Sequence, residues 1–449
     1  MDVQGTLTTW DAIFDSPLYE YGYQPSIYPT DDEEPRDTYS EYEAATEIFE
    51  EDVERGDDLQ GIFWESLPFS RERYQETSIQ KHCKRFDLEL AKRRLRFHTV
   101  SIVDACRKKI SDMIYLKDIT PLSEIGHYYK FKYNNLKVKC SYVHFQLRNL
   151  LAATSKNSVY YTYANQVRMW SPQSRTSNIV MDLDNLHFPL HITTMACGLG
   201  VCMTGSFDGT YACHRLDAPS DVAVQTGVIT LNLASAITNH IDINTNRHGA
   251  GQAVVSSNDD CVRIFDLNTM EVNAKYAEPW AVNCTKLSPD KRLLCAVGDA
   301  KETLIQNAET GETIYTLQGH DDYSFACDWS PDGKFLCTGN QDLTTRLYDV
   351  RHLKQPLHVF ATKLGAVRSL HFSPNGEYLA IAEPANYVHL VETRYFTQSQ
   401  TIDFFGELAG VSFSPEGDGL FLANADDAFG SIIEYQRVAN ENDLENLLL

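Results

Sequence analysis

Carboxylates are the most abundant groups in this sequence that could do chemistry, but they do not fall into a catalytic pattern. The chain has no Walker A loop, no GxGxxG segment after a strand, no HExxH and no GxSxG. Beyond the first sixty residues, most carboxylates stand in turns of repeated segments, where solvation or local backbone hydrogen bonds explain them. We therefore expect a protein that is not an enzyme and uses no cofactor.

The eleven cysteines are a second possible source of chemistry. Their number is odd and no two form a CxxC pair, which favours reduced thiols over a disulfide framework. Cys295 and Cys337 each follow two apolar residues, in RLLCAVGD and KFLCTGNQD, and are expected to be small buried strand residues. We expect no cysteine to bind a metal.

The basic segment 81–96 could contact phosphates or act as a nuclear address through its run of four cations, Lys92, Arg93, Arg94 and Arg96. Four apolar residues in and before it recur at helical spacing, namely Ile79, Cys83, Phe86 and Leu90. They predict a short amphipathic helix that lies on the main domain with its basic side in water. A charged run is also typical of a solvated face, so a nucleic-acid role is an alternative and nucleic acid is not the expected partner.

Charge is distributed very unevenly along the chain. The formal net charge is -23, and residues 1–60 alone carry -16 of it. This acidic, tyrosine-rich stretch has no apolar period, so it predicts a disordered acidic tail. The tail could also be an arm that binds a basic partner or shields a basic surface from nucleic acid.

The elements that would position functional residues come from internal repeats. A Ser-Pro turn followed by an apolar run recurs at Pro289, Pro331, Pro374 and Pro415, at intervals of 41 to 43 residues. The segments within each unit alternate apolar and polar residues, which is typical of strands. Four short strands in about 40 to 45 residues is the period of a propeller blade.

Weaker copies upstream bring the expected number of blades to seven. The last copy leaves little chain, so its outermost strand should come from YYKFKYNNLKVKC, before the first blade. The predicted organisation is all-β: a disordered acidic tail (1–60), a partly helical extension (61–127), a seven-bladed propeller (128–437) and a C-terminal tail (438–449).

The unit that ends in RLYDVR resembles a WD40 repeat, and the resemblance is carried by Gly319, His320, Thr338, Asp342, Tyr348 and Asp349. It implies a buried hydrogen-bond chain of His320, Thr338 and Asp342, with Tyr348 where tryptophan is usual. A buried carboxylate in a tight turn needs donors, which imidazole and hydroxyl groups supply. His320 is therefore expected to be structural.

Longer segments resemble a family of fungal and plant WD-repeat proteins with an acidic N-terminal tail. They include DLQGIFWESLPFSRERYQET, HFQLRNLLAATS and IDFFGELAGVSFSP. The resemblance spans most of residues 58–435, while residues 88–115 depart from it and read as an insertion. That family implies no biochemical activity.

Tyr348, Asp349 and Arg351 also resemble the Trp/Tyr-Asp-x-Arg box of propellers that act as substrate receptors of cullin-RING ubiquitin ligases. Arg394 stands at the matching position of the next unit, in LVETR, where Val391 replaces the aromatic residue. The resemblance implies that these arginines contact an adaptor, and an exposed arginine can hold a partner carboxylate with two hydrogen bonds. The alternative is an ordinary repeat with a solvated arginine.

A rigid propeller binds partners with little loss of ordering entropy, so the expected function is a non-catalytic scaffold for other proteins. We expect a monomeric propeller, with a ligase adaptor as one possible partner. No apolar run approaches the roughly 20 residues needed to cross a bilayer, and no signal peptide is evident. The chain is therefore expected in the cytoplasm, the nucleus or both, without membrane contact.

Overall fold

The structure is a computed structural model, and it describes residues 46–68, 70–73, 75, 119–144, 146–184, 190–218, 223–426 and 429–438. Several expected features lie outside these residues. They are the acidic tail up to residue 45, the amphipathic helix, the basic segment 81–96, the insertion at 88–115 and the C-terminal tail after residue 438.

The described chain begins with a short strand and a short helix. β1 (Glu47–Phe49) leads into α1 (Glu50–Glu54), whose first turn is held by Asp52 accepting a 2.8 Å hydrogen bond from the Phe49 N–H. A 3-10 helix (Trp64–Ser66) follows, and β2 (Tyr129–Asn135) precedes the repeats.

Among the described residues, five antiparallel sheets have four strands each, and sequence neighbours pair within every one of these sheets. The first two sheets contain β3 (Leu151–Ser155), β4 (Ser158–Tyr163), β5 (Gln166–Ser171), β6 (Thr176–Asp182), β7 (Ile192–Gly198), β8 (Val201–Ser206), β9 (Thr210–Arg215) and β10 (Gln225–Val228). After a 3-10 helix (Leu233–Ser235), the next two contain β11 (Thr238–Thr245), β12 (Gly251–Ser257), β13 (Cys261–Asp266), β14 (Val272–Ala277), β15 (Val282–Leu287), β16 (Leu293–Gly298), β17 (Thr303–Asn307) and β18 (Thr313–Leu317). The fifth contains β19 (Ser324–Trp329), β20 (Phe335–Asn340), β21 (Thr344–Asp349) and β22 (His358–Ala361).

The remaining strands form one eight-stranded sheet in the order β1-β2-β28-β27-β26-β25-β24-β23. Its further members are β23 (Ser369–Phe372), β24 (Tyr378–Ala382), β25 (Ala385–Glu392), β26 (Ser399–Phe413), β27 (Gly419–Asn424) and β28 (Ser431–Arg437). β26 pairs with β25 as far as Glu407 and with β27 from Leu408 onwards. Gly406 at this crossing has φ +121°, and a Cβ there would lie 2.2 Å from the Asn424 side-chain oxygen, so the crossing requires glycine.

The first strands of successive four-stranded sets contact one another in a closed ring. The contacts run from β3 through β7, β11, β15, β19 and β23 to the second half of β26, which returns to β3. The Ala153 N–H donates a 3.0 Å hydrogen bond to Ser412 Oγ where the ring closes. The expected all-β fold is confirmed. The count of seven blades stays a prediction, because the last two sets are joined in one sheet.

The repeated Ser-Pro turns form because the serine hydroxyl bonds to the turn that follows. Ser330 Oγ donates to Asp332 Oδ1 at 2.6 Å and accepts from the Phe335 N–H at 2.9 Å. Gly333 supplies the positive φ, +70°, that closes the turn. In the other three Ser-Pro turns the serine hydroxyl likewise donates to a nearby side chain and accepts from the N–H five residues on, so the four turns close in a similar way.

The expectation for the outermost strand of the last set is confirmed. β2 pairs antiparallel with β28, in a register that includes Tyr129 with Arg437 and Asn135 with Ile432. Chain from before the first set thus completes the last one.

The boundary expected at residue 60 stays a prediction, although residues 46–60, on the tail side of it, contain the strand β1 and the helix α1. β1 pairs with β2 in the register Glu47 with Asn135, and Ile48 is buried. Gln60 is also buried and exchanges two hydrogen bonds with the Phe405 backbone, at 2.8 and 2.5 Å. A few apolar and amide side chains therefore dock a stretch whose overall composition is acidic.

Candidate interaction surface

His320, Thr338 and Asp342 lie together in the fifth sheet. His320 Nδ1 is 2.9 Å from Asp342 Oδ2, and His320 Nε2 is 2.9 Å from Thr338 Oγ1. The carboxylate also accepts hydrogen bonds from the N–H groups of Asp321 and Thr344. Burial tends to raise the pKa of Asp342, but hydrogen bonds from His320, Thr344 and the Asp321 N–H together hold this pKa below its ordinary value. Both imidazole nitrogens have hydrogen-bond partners, so His320, Thr338 and Asp342 hold parts of the fifth sheet together. We call these three residues the His320 brace.

Tyr348 does not belong to a contact surface. It is 1% exposed and lies in a core cluster with Trp329 and Leu336. β21 is an inner strand of its sheet and neighbouring sheets cover both of its faces, which is why Leu347 beside it is buried as well. The assignment of Tyr348 as a partner-binding residue is therefore wrong, and its ring packs the core.

Asp349 and Arg351 form an ion pair at the turn after β21. Arg351 Nε is 2.9 Å from Asp349 Oδ1 and Arg351 Nη2 is 2.6 Å from Asp349 Oδ2. The Arg351 side chain is 73% exposed. Hydrogen bonds from the Arg351 side chain and backbone N–H lower the pKa of Asp349 to about 2. The guanidinium is thus held in place while its surface remains open to solvent.

Arg394 occupies the corresponding turn after β25. Its backbone N–H donates to Glu392 Oε2 at 2.8 Å, and its guanidinium carbon is 5.2 Å from the centroid of the Tyr395 ring. Arg394 is exposed and Tyr395 is 62% exposed. Within the described residues Arg394 has no ion-pair partner, so its charge is available to another molecule.

These two turns are neighbours at the same edge of the ring, since each follows the third strand of its set. Aromatic contacts join them from beneath: the Phe396 ring centroid is 5.2 Å from that of Phe335 and 5.3 Å from that of His358. We define the arginine corner as the four exposed side chains Arg351, Leu357, Arg394 and Tyr395. It combines two cations with an aromatic ring and an aliphatic side chain, a composition suited to protein contact.

The centre of the ring contains polar residues that the sequence interpretation missed. Lys286 Nζ is 2.5 Å from Asp242 Oδ1, and Asp328 Oδ2 accepts a 2.7 Å hydrogen bond from the Phe372 N–H. These bonds connect β11 with β15, and β19 with β23. Burial raises the pKa of Asp328 to about 6 and lowers that of His371 to about 3.

The sequence repeats contain a pattern that could have indicated these polar residues. Lys286, Asp328, His371 and Ser412 each stand three residues before the proline of a Ser-Pro turn, so one position supplies four polar side chains. The small cavity beside them has a volume of about 20 Å³, room for a water molecule rather than for a substrate. The central residues thus cross-link the ring.

A larger cleft of about 560 Å³ lies where β1 and α1 meet the turns of the first sheet and the outer strands of the last set. Its walls carry both signs of charge. Lys132 pairs with Glu434 at 2.8 Å, and the Arg175 guanidinium lies 4.6 Å from the centroid of Phe49. The mixture favours no single class of ligand.

Two further results concern the described residues alone. They contain no group of three His, Cys, Asp or Glu side chains placed to hold a metal ion. None of their helices has the length and apolar character needed to span a bilayer. The nucleic-acid alternative depends on residues 81–96, outside the described ranges, and stays a prediction.

Comparison with protein families gives two matches. The family described as "WD domain, G-beta repeat" matches residues 311–349, which contain the His320 brace and β21. The family described as "Uncharacterised protein domain (DUF2415)" matches residues 365–403, which contain Arg394 and Tyr395. Two residues of the arginine corner, Arg394 and Tyr395, thus lie in the second match, whereas Arg351 and Leu357 lie between the two matched ranges.

Relatives cover the chain to different extents. An uncharacterised protein of Schizosaccharomyces pombe is 25% identical over 309 residues, which span 63% of this chain and 85% of that protein. WD repeat-containing protein 1 of Bos taurus is 28% identical over 118 residues, 25% of this chain, and the match spans only 19% of that protein.

The fold also matches a solved structure. A chain in the crystal structure of the mitotic checkpoint complex has a TM-score of 0.56 at 15% identity, over 68% of this chain and 90% of that one. At this identity the likeness concerns the fold. Together with the sheet architecture and the WD40 repeat match at residues 311–349, these similarities show that the chain has the fold of a WD40-type β-propeller.

Proposed function

We propose that this protein is a non-catalytic scaffold that binds an acidic segment of a partner protein at the arginine corner. Its WD-repeat relatives point in general to protein-interaction scaffolds. The structural neighbour likewise belongs to a complex of proteins. The observation that carries the proposal is the placement of two exposed arginines in equivalent turns of adjacent sets.

The corner is preformed. Asp349 fixes the guanidinium of Arg351 at two points, and Tyr395 supports that of Arg394 through its ring. A partner that binds there loses little affinity to ordering of these side chains. The underlying turns are also held by contacts of Phe396 with Phe335 and His358.

Charge selects the kind of partner. Arg394 offers a guanidinium that pairs with no carboxylate among the described residues. Arg351 can add a partner carboxylate beside Asp349, because arginine has five N–H donors and Asp349 engages two of them. Leu357 and Tyr395 add apolar surface next to these cations. A segment with acidic residues next to an apolar one complements this surface.

Quantitative affinity purification from the native cells tests the proposal. It compares wild type with the double variant Arg351→Ala/Arg394→Ala and with Arg215→Ala. Arg215 is a matched control, because it ends the third strand of the second sheet, pairs with Asp217 at 3.1 and 3.0 Å and has a 70% exposed side chain. We expect a partner that is lost in the double variant and retained with Arg215→Ala. Partners retained in all three would contradict the use of the corner.

A more specific alternative is that the partner bound at the arginine corner is an adaptor of a cullin-RING ubiquitin ligase. It is favoured by the two arginines at matching box positions, while the buried Tyr348 takes no part in a contact. In the same experiment this alternative requires an adaptor and a cullin among the proteins lost from the double variant. A partner of another kind would leave the scaffold proposal in place and exclude the receptor.

A further inference from the structure

Cys197 and Cys202 face each other across the hairpin of β7 and β8. The hairpin turns through Leu199 and Gly200, whose φ angles of 51° and 76° fit a two-residue turn of the primed type. Gly198 pairs with Val201 next to the turn, and Cys197 pairs with Cys202 one step further. In such a hairpin this second pair occupies a non-hydrogen-bonded site, where opposite side chains are closest.

Both thiols lie on the same face of the second sheet. Cys202 is part of the core cluster between the first and second sheets, and Cys197 packs against that cluster. Their strand neighbours Ala196 and Met203 belong to the cluster on the opposite face. Facing residues at a non-hydrogen-bonded site have Cα atoms about 4.5 Å apart, within the range that a disulfide spans.

The two thiols differ in their access to solvent. Cys197 is half-buried near the tip of the hairpin, whereas Cys202 is fully buried. A hydrogen bond with Cys197, together with burial, holds the pKa of Cys202 well above its ordinary value. Cys202 therefore stays a thiol at neutral pH, and an oxidant from solvent reaches Cys197 first.

We propose that Cys197 and Cys202 are a modification site that forms a reversible disulfide on exposure to a peroxide. Hydrogen peroxide converts the Cys197 thiol to a sulfenic acid and is reduced to water. The Cys202 sulfur then attacks the Cys197 sulfur, the S–S bond forms, and the S–O bond breaks with loss of a second water. Overall two thiols give up two electrons and two protons, and one peroxide becomes two waters.

A second pair of thiols in the same protein provides an internal comparison. The sulfur atoms of Cys284 and Cys327 are 3.8 Å apart, on the innermost strands of neighbouring sheets. Both residues are buried, and burial contributes to raising both pKa values well above the ordinary value. In both pairs the thiols are close to each other, but only the pair of Cys197 and Cys202 has a partly exposed member, Cys197. We expect the Cys284 and Cys327 thiols to stay reduced in the folded protein.

The experiment treats the reduced full-length protein with hydrogen peroxide under native conditions, blocks free thiols with N-ethylmaleimide and maps the digest by mass spectrometry. In wild type we expect Cys197 and Cys202 to lose maleimide labelling. Their combined mass should be two hydrogens lower than in the reduced protein, and dithiothreitol should reverse this change. Cys202→Ser should abolish the cross-link and leave a Cys197 sulfenic acid that dimedone traps. Cys213→Ser, at a buried position on the opposite face of the same sheet, should leave the cross-link unchanged.

Two results would overturn the proposal. One is oxidation of Cys197 to sulfinic acid in wild type while Cys202 still reacts with maleimide after denaturation. The other is oxidation of Cys284 and Cys327 at the same peroxide concentration, which would show that exposure does not govern the chemistry. Cys202→Ala provides the same test as Cys202→Ser without a new hydroxyl group in the core.

Discussion

Arg148 Nη2 lies 2.6 Å from Glu407 Oε2, and this ion pair joins the chain that enters β3 to the long strand β26. Both side chains are largely buried, at 2% and 8% exposure. The Arg148 guanidinium also lies 3.8 Å from the centroid of the Tyr142 ring, and the Tyr142 hydroxyl donates a hydrogen bond to Glu407. The first and last sets of strands are thus held together by charge where the ring closes.

Glu407→Ala should therefore destabilise the protein strongly, because it leaves the Arg148 charge buried without its carboxylate. Breaking a buried pair costs about 3 to 5 kcal/mol of unfolding free energy. Denaturant or thermal unfolding measures the effect. Asp217→Ala is the control, since it removes the partner of the exposed Arg215 and should cost at most about 1 kcal/mol. Equal effects of the two substitutions would contradict a closing role for Arg148 and Glu407.

Asp342→Ala should lower the unfolding free energy by roughly 1 to 3 kcal/mol. The carboxylate bonds to the His320 imidazole and to two backbone N–H groups, and its removal leaves the buried His320 imidazole and the Thr344 N–H without this acceptor. Thermal unfolding measures the loss. Asp332→Ala, in an exposed turn of the same sheet, should change stability much less. An unchanged transition in Asp342→Ala would refute the role assigned to the brace.

Asp328 should make stability depend on pH in the direction opposite to most carboxylates. Its folded pKa is raised to about 6, against about 3.9 in an unfolded chain. Between these values the folded protein keeps a proton that the unfolded chain releases, so the Asp328 contribution to stability grows as pH falls from above 6 towards 4. The centre of the ring also contains Lys286, Asp242 and His371, and Asp328→Asn leaves these three side chains in place. Melting temperatures of wild type and Asp328→Asn should therefore diverge over this range, and parallel curves would contradict the raised pKa.

Gln60→Ala should loosen the N-terminal segment from the last set of strands. The Gln60 amide is 1% exposed and bonds to both the N–H and the carbonyl of Phe405. Loss of these contacts should cost about 1 to 3 kcal/mol. Limited proteolysis should then cut between residues 46 and 68 faster than in wild type. Gln173→Ala, at an exposed position, provides the control, and equal cleavage rates in both variants would show that Gln60 does not hold the segment.

The repeating part of the fold was predictable because the Ser-Pro turns carry their own hydrogen bonds. Ser330 and Gly333 define the turn locally, so their spacing in the sequence reveals the strands on either side. The pairing of β2 with β28 followed from the shortage of chain after the last repeat. The docking of β1 was missed because Ile48 and Phe49 stand among carboxylates, and composition over a long stretch outweighs two apolar residues.

The exposed arginines of the candidate site were predictable from the sequence, whereas the burial of Tyr348 was not. Arg351 and Arg394 follow third strands, where turns reach solvent. Tyr348 stands three residues earlier than Arg351, but there the strand is still covered on both faces, and sequence spacing alone does not distinguish the two environments. Leu357 and Tyr395 complete the corner through the folding of two separate turns, which a single repeat does not reveal.

The dissociation constant of the recovered partner tests the central claim most directly. It would be measured for wild type, Arg351→Ala/Arg394→Ala and Arg215→Ala at low and physiological salt. Loss of the charged contacts at the corner should cost about 2 kcal/mol, roughly a 30-fold weaker dissociation constant, and should reduce the salt dependence. Arg215→Ala should bind as wild type does. Equal dissociation constants for wild type and the double variant would contradict the arginine corner as the binding surface.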